Sequence, residues 1–303
     1  MGGKAHDKQP PAEQTLQRQG TIVAAHGRQY RVEFEGGETL LCFPRGKKSE
    51  LACGDRVSVQ PGGDGPGVIA TVAPRSTLLY RSNEYKQKLI AANVTQIVIV
   101  VATEPSFSDE LVTRCIVAAE SQDMKVLIVL NKCDLAARLA PAVRALAPFA
   151  GLGYPLLQLC ARRDASALRP YLAGHTSVLV GQSGMGKSTL INALLPDAGA
   201  ATREISAALD SGKHTTTYAA LYRLDSQSAL IDSPGLQEFG LRHLSAQAIE
   251  NGFLEFRPLS GQCRFRDCRH DREPDCAVLA AVKSGQISPR RYAVFRALRN
   301  EAG

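Results

Sequence analysis

The chain has 303 residues, room for two or three domains of about 100–150 residues, and its 44% apolar fraction suits a packed core and excludes a wholly disordered chain. No run approaches the ~20 uncharged apolar residues of a membrane helix, and eight cysteines are too sparse for a disulfide scaffold. The net charge of +7 is densest over residues 246–303, where nine of the ten basic residues are arginine, and points weakly to an anionic partner such as RNA.

Residues 1–19 are polar, include Pro10 and Pro11, and lack the apolar stretch of a signal peptide, so a flexible tail on a cytoplasmic protein is expected. Residues 20–75 read as five short strands, at 20–25, 29–34, 38–43, 55–60 and 67–72, separated by Gly- and Pro-containing turns such as His26-Gly27 and Pro44-Arg45-Gly46. Arg31 and Glu33 alternate with Tyr30, Val32 and Phe34, the period of a half-buried strand. Five such strands suit a small Greek-key barrel of OB type, a common nucleic-acid binder; an all-β domain without a ligand is the alternative. Residues 74–93 read as a mixed connector.

From residue 94 onward, apolar strands (94–102, 125–131, 155–160, 176–181) alternate with helical patterns (109–120, 136–147, 187–195). This texture predicts a mainly parallel sheet covered by helices on both faces, over residues 76–244. Residues 245–303 read as mainly helical, with Ser245 capping a helix over 246–256 and further helices over 277–283 and 290–300.

The strongest motif is Gly181-Gln182-Ser183-Gly184-Met185-Gly186-Lys187-Ser188, followed by Thr189. It matches G-x-x-x-x-G-K-[ST] between an apolar strand and a helix, the setting of a phosphate-binding loop. Backbone N–H groups at the helix start cradle phosphate oxygens, Lys187 reaches the β- and γ-phosphates, and the Ser188 hydroxyl ligates Mg²⁺. Asp232-Ser233-Pro234-Gly235 follows the apolar run Ala229, Leu230, Ile231. There Asp232 would hold Mg²⁺ and the Gly235 N–H the γ-phosphate. The run Thr215, Thr216, Thr217 offers a further hydroxyl for Mg²⁺; Thr216 is the expected ligand, with Thr215 and Thr217 as alternatives.

Asn131-Lys132-Cys133-Asp134 ends another apolar strand and matches N-K-x-D. The two adjacent donors of guanine suit the Asp134 carboxylate, whereas adenine would leave it unpaired. Cys160-Ala161 is the candidate third base loop, with the Ala161 N–H toward guanine O6; Cys160 stands where GTPases usually carry Ser. The motif order is unusual, because N-K-x-D and Cys-Ala precede the phosphate loop and D-x-P-G follows it. The same sheet is reached if the chain ends have been relocated.

Cys263, Cys268, His270 and Cys276 supply three thiolates and an imidazole within 14 residues, a full tetrahedral set for structural zinc. Arg264, Arg266, Arg269 and Arg272 interleave with these ligands, for phosphate contact or as a solvated face. Cys42, Cys53, Cys115, Cys133 and Cys160 read as unmodified thiols.

A barrel, a GTPase with motifs in permuted order and a Cys₃His knot together resemble the bacterial ribosome small-subunit-dependent GTPases, the circularly permuted enzymes of late small-subunit maturation. The resemblance covers residues 20–300. It implies GTP hydrolysis stimulated by the small (30S) ribosomal subunit and contacts to its 16S rRNA through the barrel and zinc domains; no membrane partner and a monomer are expected. Leu236 stands where many GTPases place a water-orienting Gln, and the family resemblance implies that His214, just before the Thr run, positions the attacking water instead. A nucleotide-gated RNA binder with incidental hydrolysis, a small-molecule ATPase or kinase, and a signalling GTPase are the alternatives.

Overall fold

The computed structural model describes residues 17–46, 50–63, 65–82, 87–196, 219–233 and 240–302. Five strands open the chain: β1 (Arg18–His26), β2 (Gln29–Phe34), β3 (Thr39–Pro44), β4 (Arg56–Gly62) and β5 (Gly65–Val72). They pair in the order β1-β2-β3-β5-β4, with β3–β5 parallel, and β4 returns to β1 to close an OB-type barrel. Ile22, Val32, Val57 and Val59 fill it, each fully buried, as the alternation along β2 requires.

Residues 74–93 are more ordered than expected. They hold a hairpin, β6 (Leu78–Ser82) and β7 (Gln87–Ala92), antiparallel to each other. The α/β region follows: β8 (Gln96–Ala102), α1 (Asp109–Glu120), β9 (Lys125–Asn131), α2 (Ala136–Gly151), β10 (Leu156–Gln158), a 3₁₀ turn at Ser166–Leu168, α3 (Arg169–Leu172), β11 (Thr176–Val180), α4 (Lys187–Leu194), β12 (Ala219–Arg223) and β13 (Ala229–Asp232). The strands run β10-β9-β8-β11-β13 in parallel, with β12 antiparallel at their end. Every residue of β8 is buried, as expected of a strand covered on both faces. Strand β12 also pairs with β1, Ala24 opposite Ala220, so barrel and GTPase region share one sheet of 11 strands.

The C-terminal region holds α5 (Ala246–Asn251), a 3₁₀ turn at Leu254–Leu259, α6 (Ala277–Ser284) and α7 (Pro289–Glu301). Ser245 caps α5 as its sequence suggests, accepting from Ala248 N at 3.1 Å. The helix expected to reach residue 256 stops at Asn251 instead. Gly252 lies so close to α1 that a Cβ there would stand 2.9 Å from Val117 Cγ1, and the chain turns to bury Phe253 and Phe256. The region docks through Arg291, 6% exposed, which bonds Glu255 at 2.7 Å and Thr113 of α1 at 2.8 Å. Among the described residues no helix is long and apolar enough to cross a membrane.

Candidate nucleotide site and candidate metal centre

Parallel pairing carries the loops after β8, β9, β10, β11 and β13 to one edge of the sheet, where a cleft of about 790 Å³ opens. Binding at the carboxyl ends of such strands is the general rule for open α/β sheets. On the floor, β11 runs into Gly181, where a Cβ would stand 2.2 Å from the Val100 carbonyl oxygen. Only glycine lets the loop leave the sheet so close to β8. Gly186, with φ +94°, caps α4 in the left-handed region, a conformation that costs other residues about 1–2 kcal/mol.

Lys187 opens α4, and its Nζ donates to the carbonyls of Gly181 at 2.6 Å and Gln182 at 3.1 Å. Burial pulls the Lys187 ammonium below its usual pKa, with Asp232 opposing that shift. Asp232, at the end of β13, is 7% exposed. Burial raises its carboxyl to about 6, with Lys187 opposing. Ser188 lines the same cleft. An ammonium, a hydroxyl, a carboxylate and a helix N-terminus therefore face one space, the donor set for Mg²⁺-bound phosphates.

The base end is organised by Asn131, 2% exposed. Its Nδ2 donates to the Met185 carbonyl at 3.0 Å, and its Oδ1 accepts from the N–H groups of Lys132 at 2.8 Å and Ala161 at 3.0 Å. One side chain thus ties the phosphate loop to both candidate base loops. The Ala161 N–H, expected to face guanine, is engaged by Asn131. Lys132 adopts φ +60° and sends Nζ to the Glu104 carbonyl at 2.7 Å, while Thr103 Oγ1 donates to the Lys132 carbonyl at 2.8 Å. Asp134 is exposed at the cleft. The nearby Cys160 thiol, with the backbone, holds the Asp134 carboxylate below the ordinary carboxylate range.

Of the residues singled out in the sequence, Asn131, Lys132, Asp134, Cys160, Ser183, Gly184, Gly186, Lys187, Ser188, Thr189 and Asp232 line this one cleft. Cys133 and Met185 pack behind it in the two cores. Gln182 points away, its Oε1 accepting from the N–H of Ser108, the cap of α1. His214, Thr216 and Gly235 lie outside the described residues. Glu104, Pro105 and Arg162 also line the cleft and were not anticipated. No motif marks them, and β8 brings the first two there only through its place beside β11.

The second candidate centre gathers Cys263, Cys268, His270 and Cys276, with ligand atoms all within 4.8 Å of one another. The Cys263 and Cys276 sulfurs are 3.8 Å apart, and His270 Nδ1 is 3.6 Å and 3.3 Å from them. A tetrahedron with Zn–S of about 2.3 Å and Zn–N of about 2.0 Å spaces such atoms by roughly 3.5–3.8 Å, so the donor set fits zinc. The far ring nitrogen, Nε2, meets Glu250 Oε1 at 3.2 Å, which leaves Nδ1 for the metal. Cys276 caps α6, accepting from Leu279 N at 3.4 Å. Glu250 had no signal in the sequence, since it lies on α5, outside the Cys/His cluster.

A sequence model of the RsgA GTPase family matches residues 72–242. The protein named "Small ribosomal subunit biogenesis GTPase RsgA" from Burkholderia pseudomallei strain K96243 is 53% identical over 99% of this chain and 98% of its own length. Its namesake from Nitrosospira multiformis is 54% identical over 92% of this chain and 89% of its own. Among solved structures, YjeQ from Thermotoga maritima superposes with a TM-score of 0.70 at 31% identity, covering 94% of this chain and 98% of that one. YloQ, described as a circularly permuted GTPase, gives a TM-score of 0.68 at 26% identity, covering 97% of each chain.

Proposed function

The chain belongs to the RsgA GTPase family and is a GTP-hydrolysing enzyme; from that premise we propose that it acts in the cytoplasm as a late maturation factor of the small (30S) ribosomal subunit, binds its 16S rRNA, and is stimulated by that subunit. The observation that carries the reading of the site is the convergence of Asp134 with Lys187, Ser188 and Asp232 in one cleft. The biological setting rests on relatives that bear the name of small-subunit biogenesis GTPases along nearly their whole length.

In this reading the Asp134 carboxylate accepts the two donors of guanine, and Asn131 and Lys132 brace the base loop. Residues 181–189 wrap the phosphates, with Lys187 on the β- and γ-oxygens. Ser188, Thr216 and Asp232 would hold Mg²⁺, which when bound neutralises charge on those oxygens. Gly235 contacts the γ-phosphate, and His214 positions the water for in-line attack. Positioning and electrostatics do most of the work, and no arginine finger is assigned, so turnover without the subunit is slow. Cys263, Cys268, His270 and Cys276 hold a structural zinc that fixes the C-terminal loop against the RNA.

The test is GTP hydrolysis with and without purified small subunits, with large subunits and ATP as controls. Stimulation by small subunits alone is the expected result. Hydrolysis indifferent to ribosomes would leave a GTPase with a different activator and sink the assembly reading. Basic contacts to rRNA also predict binding that weakens as salt rises; affinity that stays flat across a salt titration would remove that part of the proposal.

A further inference from the structure

The C-terminal region contains four phenylalanines, and three of them form its core. Phe253, Phe256 and Phe295 are 0%, 4% and 0% exposed, with ring centroids 4.7–5.3 Å apart. The fourth, Phe265, is 42% exposed. It sits between Cys263 and Cys268, so metal at the knot would fix the chain on both sides of it. The backbone there is already turned, Cys268 N donating to the Phe265 carbonyl at 3.3 Å. A large ring 42% exposed, on a loop that metal would pin, is open to a partner.

Its surroundings present exposed guanidiniums. The Arg264 guanidinium lies 5.6 Å from the ring centroid and is steadied by Asp275 at 3.1 Å. Arg266 and Arg269 are exposed on the same loop. The loop carries as many carboxylates as guanidiniums, but most of the carboxylates are occupied within the fold. Glu273 accepts from the backbone N–H groups of Arg269, Asp271 and Arg272 at 2.8–3.0 Å, and Asp271 pairs with Arg296 of α7 at 2.5 Å. A single ring among charged neighbours is a poor anchor for a protein partner, which needs a broader apolar patch. It is a good anchor for a flat, unpaired base whose backbone phosphates are met by arginine.

We propose that Phe265 is a stacking platform for one unpaired nucleobase of the RNA partner, with Arg264 and Arg266 on the adjoining phosphates. The inference deepens the reading given above and rests on it.

The chain has no tryptophan, so Phe265→Trp installs a single reporter on the platform. Small subunits should quench its emission, excited to the red of tyrosine and corrected for absorbance, and the variant should sediment with small subunits as the parent does. Phe265→Ala should weaken that binding about ten-fold or more, the loss of one stacked base, while zinc content and unstimulated GTP hydrolysis stay at parental values. Phe265→Ala binding like the parent overturns the inference, as does an unquenched, blue-shifted emission on the bound subunit, which would mean a protein pocket. In both of those cases the parent still binds, and the proposed function stands. A parent chain that fails to bind small subunits overturns both.

Discussion

Asn131 and Gly186 lie in such close contact that a Cβ on Gly186 would stand 2.3 Å from Asn131 Nδ2. The same amide nitrogen bonds the Met185 carbonyl at 3.0 Å, so the base loop and phosphate loop are held at a fixed spacing. Gly186→Ala meets both a left-handed φ of +94° and this contact. At Gly184, with φ +80°, a Cβ would stand 3.6 Å from its nearest neighbour, Pro105. Gly186→Ala should therefore abolish measurable GTP binding, while Gly184→Ala should cost only the conformational strain of about 1–2 kcal/mol. Titration with a fluorescent GDP analogue separates them; equal losses would show that spacing is not what Gly186 protects.

Asn131→Ala removes one donor and one acceptor that serve three backbone groups. Buried groups left unpaired cost about 1–3 kcal/mol each. The expected outcome is a lower melting temperature together with at least a ten-fold loss of both GTP and GDP affinity. A variant that melts like the parent would show that these loops are held by other contacts.

Asp232 gives the pH dependence. Burial raises its carboxyl to about 6 from the usual 3.8. A raised carboxylate binds its proton more tightly when folded than when unfolded, so its ionised form costs stability above about pH 6, and that cost fades as pH falls through 6. Metal binding needs the ionised form. Mg²⁺ affinity in the GDP complex should weaken between pH 7 and pH 5.5, and Asp232→Asn should flatten that slope. A slope that persists in Asp232→Asn would assign it to another group.

Glu250 meets the far ring nitrogen of His270, opposite the candidate metal position, at 3.2 Å. Glu250→Gln should lower zinc affinity about 10–100-fold in a chelator competition. The reader of nucleotide should be spared: GDP affinity is expected to match the parent, because the two sites lie on different elements. Unchanged zinc affinity would make Glu250 a partner of Arg299 alone, to which it is also bonded at 3.4 Å.

Two neighbouring arginines of α7 make a test of burial. Arg291 is 6% exposed and bonded to Glu255 and Thr113, whereas Arg290 is mostly exposed where it pairs with Asp109. Removing one partner of a buried pair costs about 3–5 kcal/mol, and of an exposed one about 0–1 kcal/mol. Arg291→Ala should lower urea stability by the larger amount and Arg290→Ala by the smaller. Similar values for the two would mean that the docked face opens before the chain unfolds.

The permuted order of motifs, the phosphate loop and the Cys₃His set were legible in the residues because each needs particular side chains at fixed spacing along the chain. Strands β2 and β9 and helix α1 were legible to the residue, since alternation, unbroken apolar character and helical periodicity are local signals. Helix α2 shows where local rules stop. Expected to end at 147, ahead of Pro148, it runs to Gly151 with Phe149 2% exposed, because burying a ring outweighs one lost backbone hydrogen bond. The hairpin β6–β7 and strand β12 escaped for a related reason: each is specified by what it pairs with rather than by its own pattern.

What the sequence determined by itself was the chemistry available: which groups can touch phosphate, guanine or zinc, and in which order the chain presents them. What only the tertiary structure decided was who stands beside whom. Strand order placed Glu104 and Pro105 at the phosphate loop, Asn131 became the tie between three loops, Glu250 arrived behind His270, and Phe265 stayed exposed while the other three phenylalanines of the C-terminal region closed the core. Spacing along a chain fixes a local motif, but contacts between distant segments follow from how buried surfaces fit together, and no short stretch of residues carries that information.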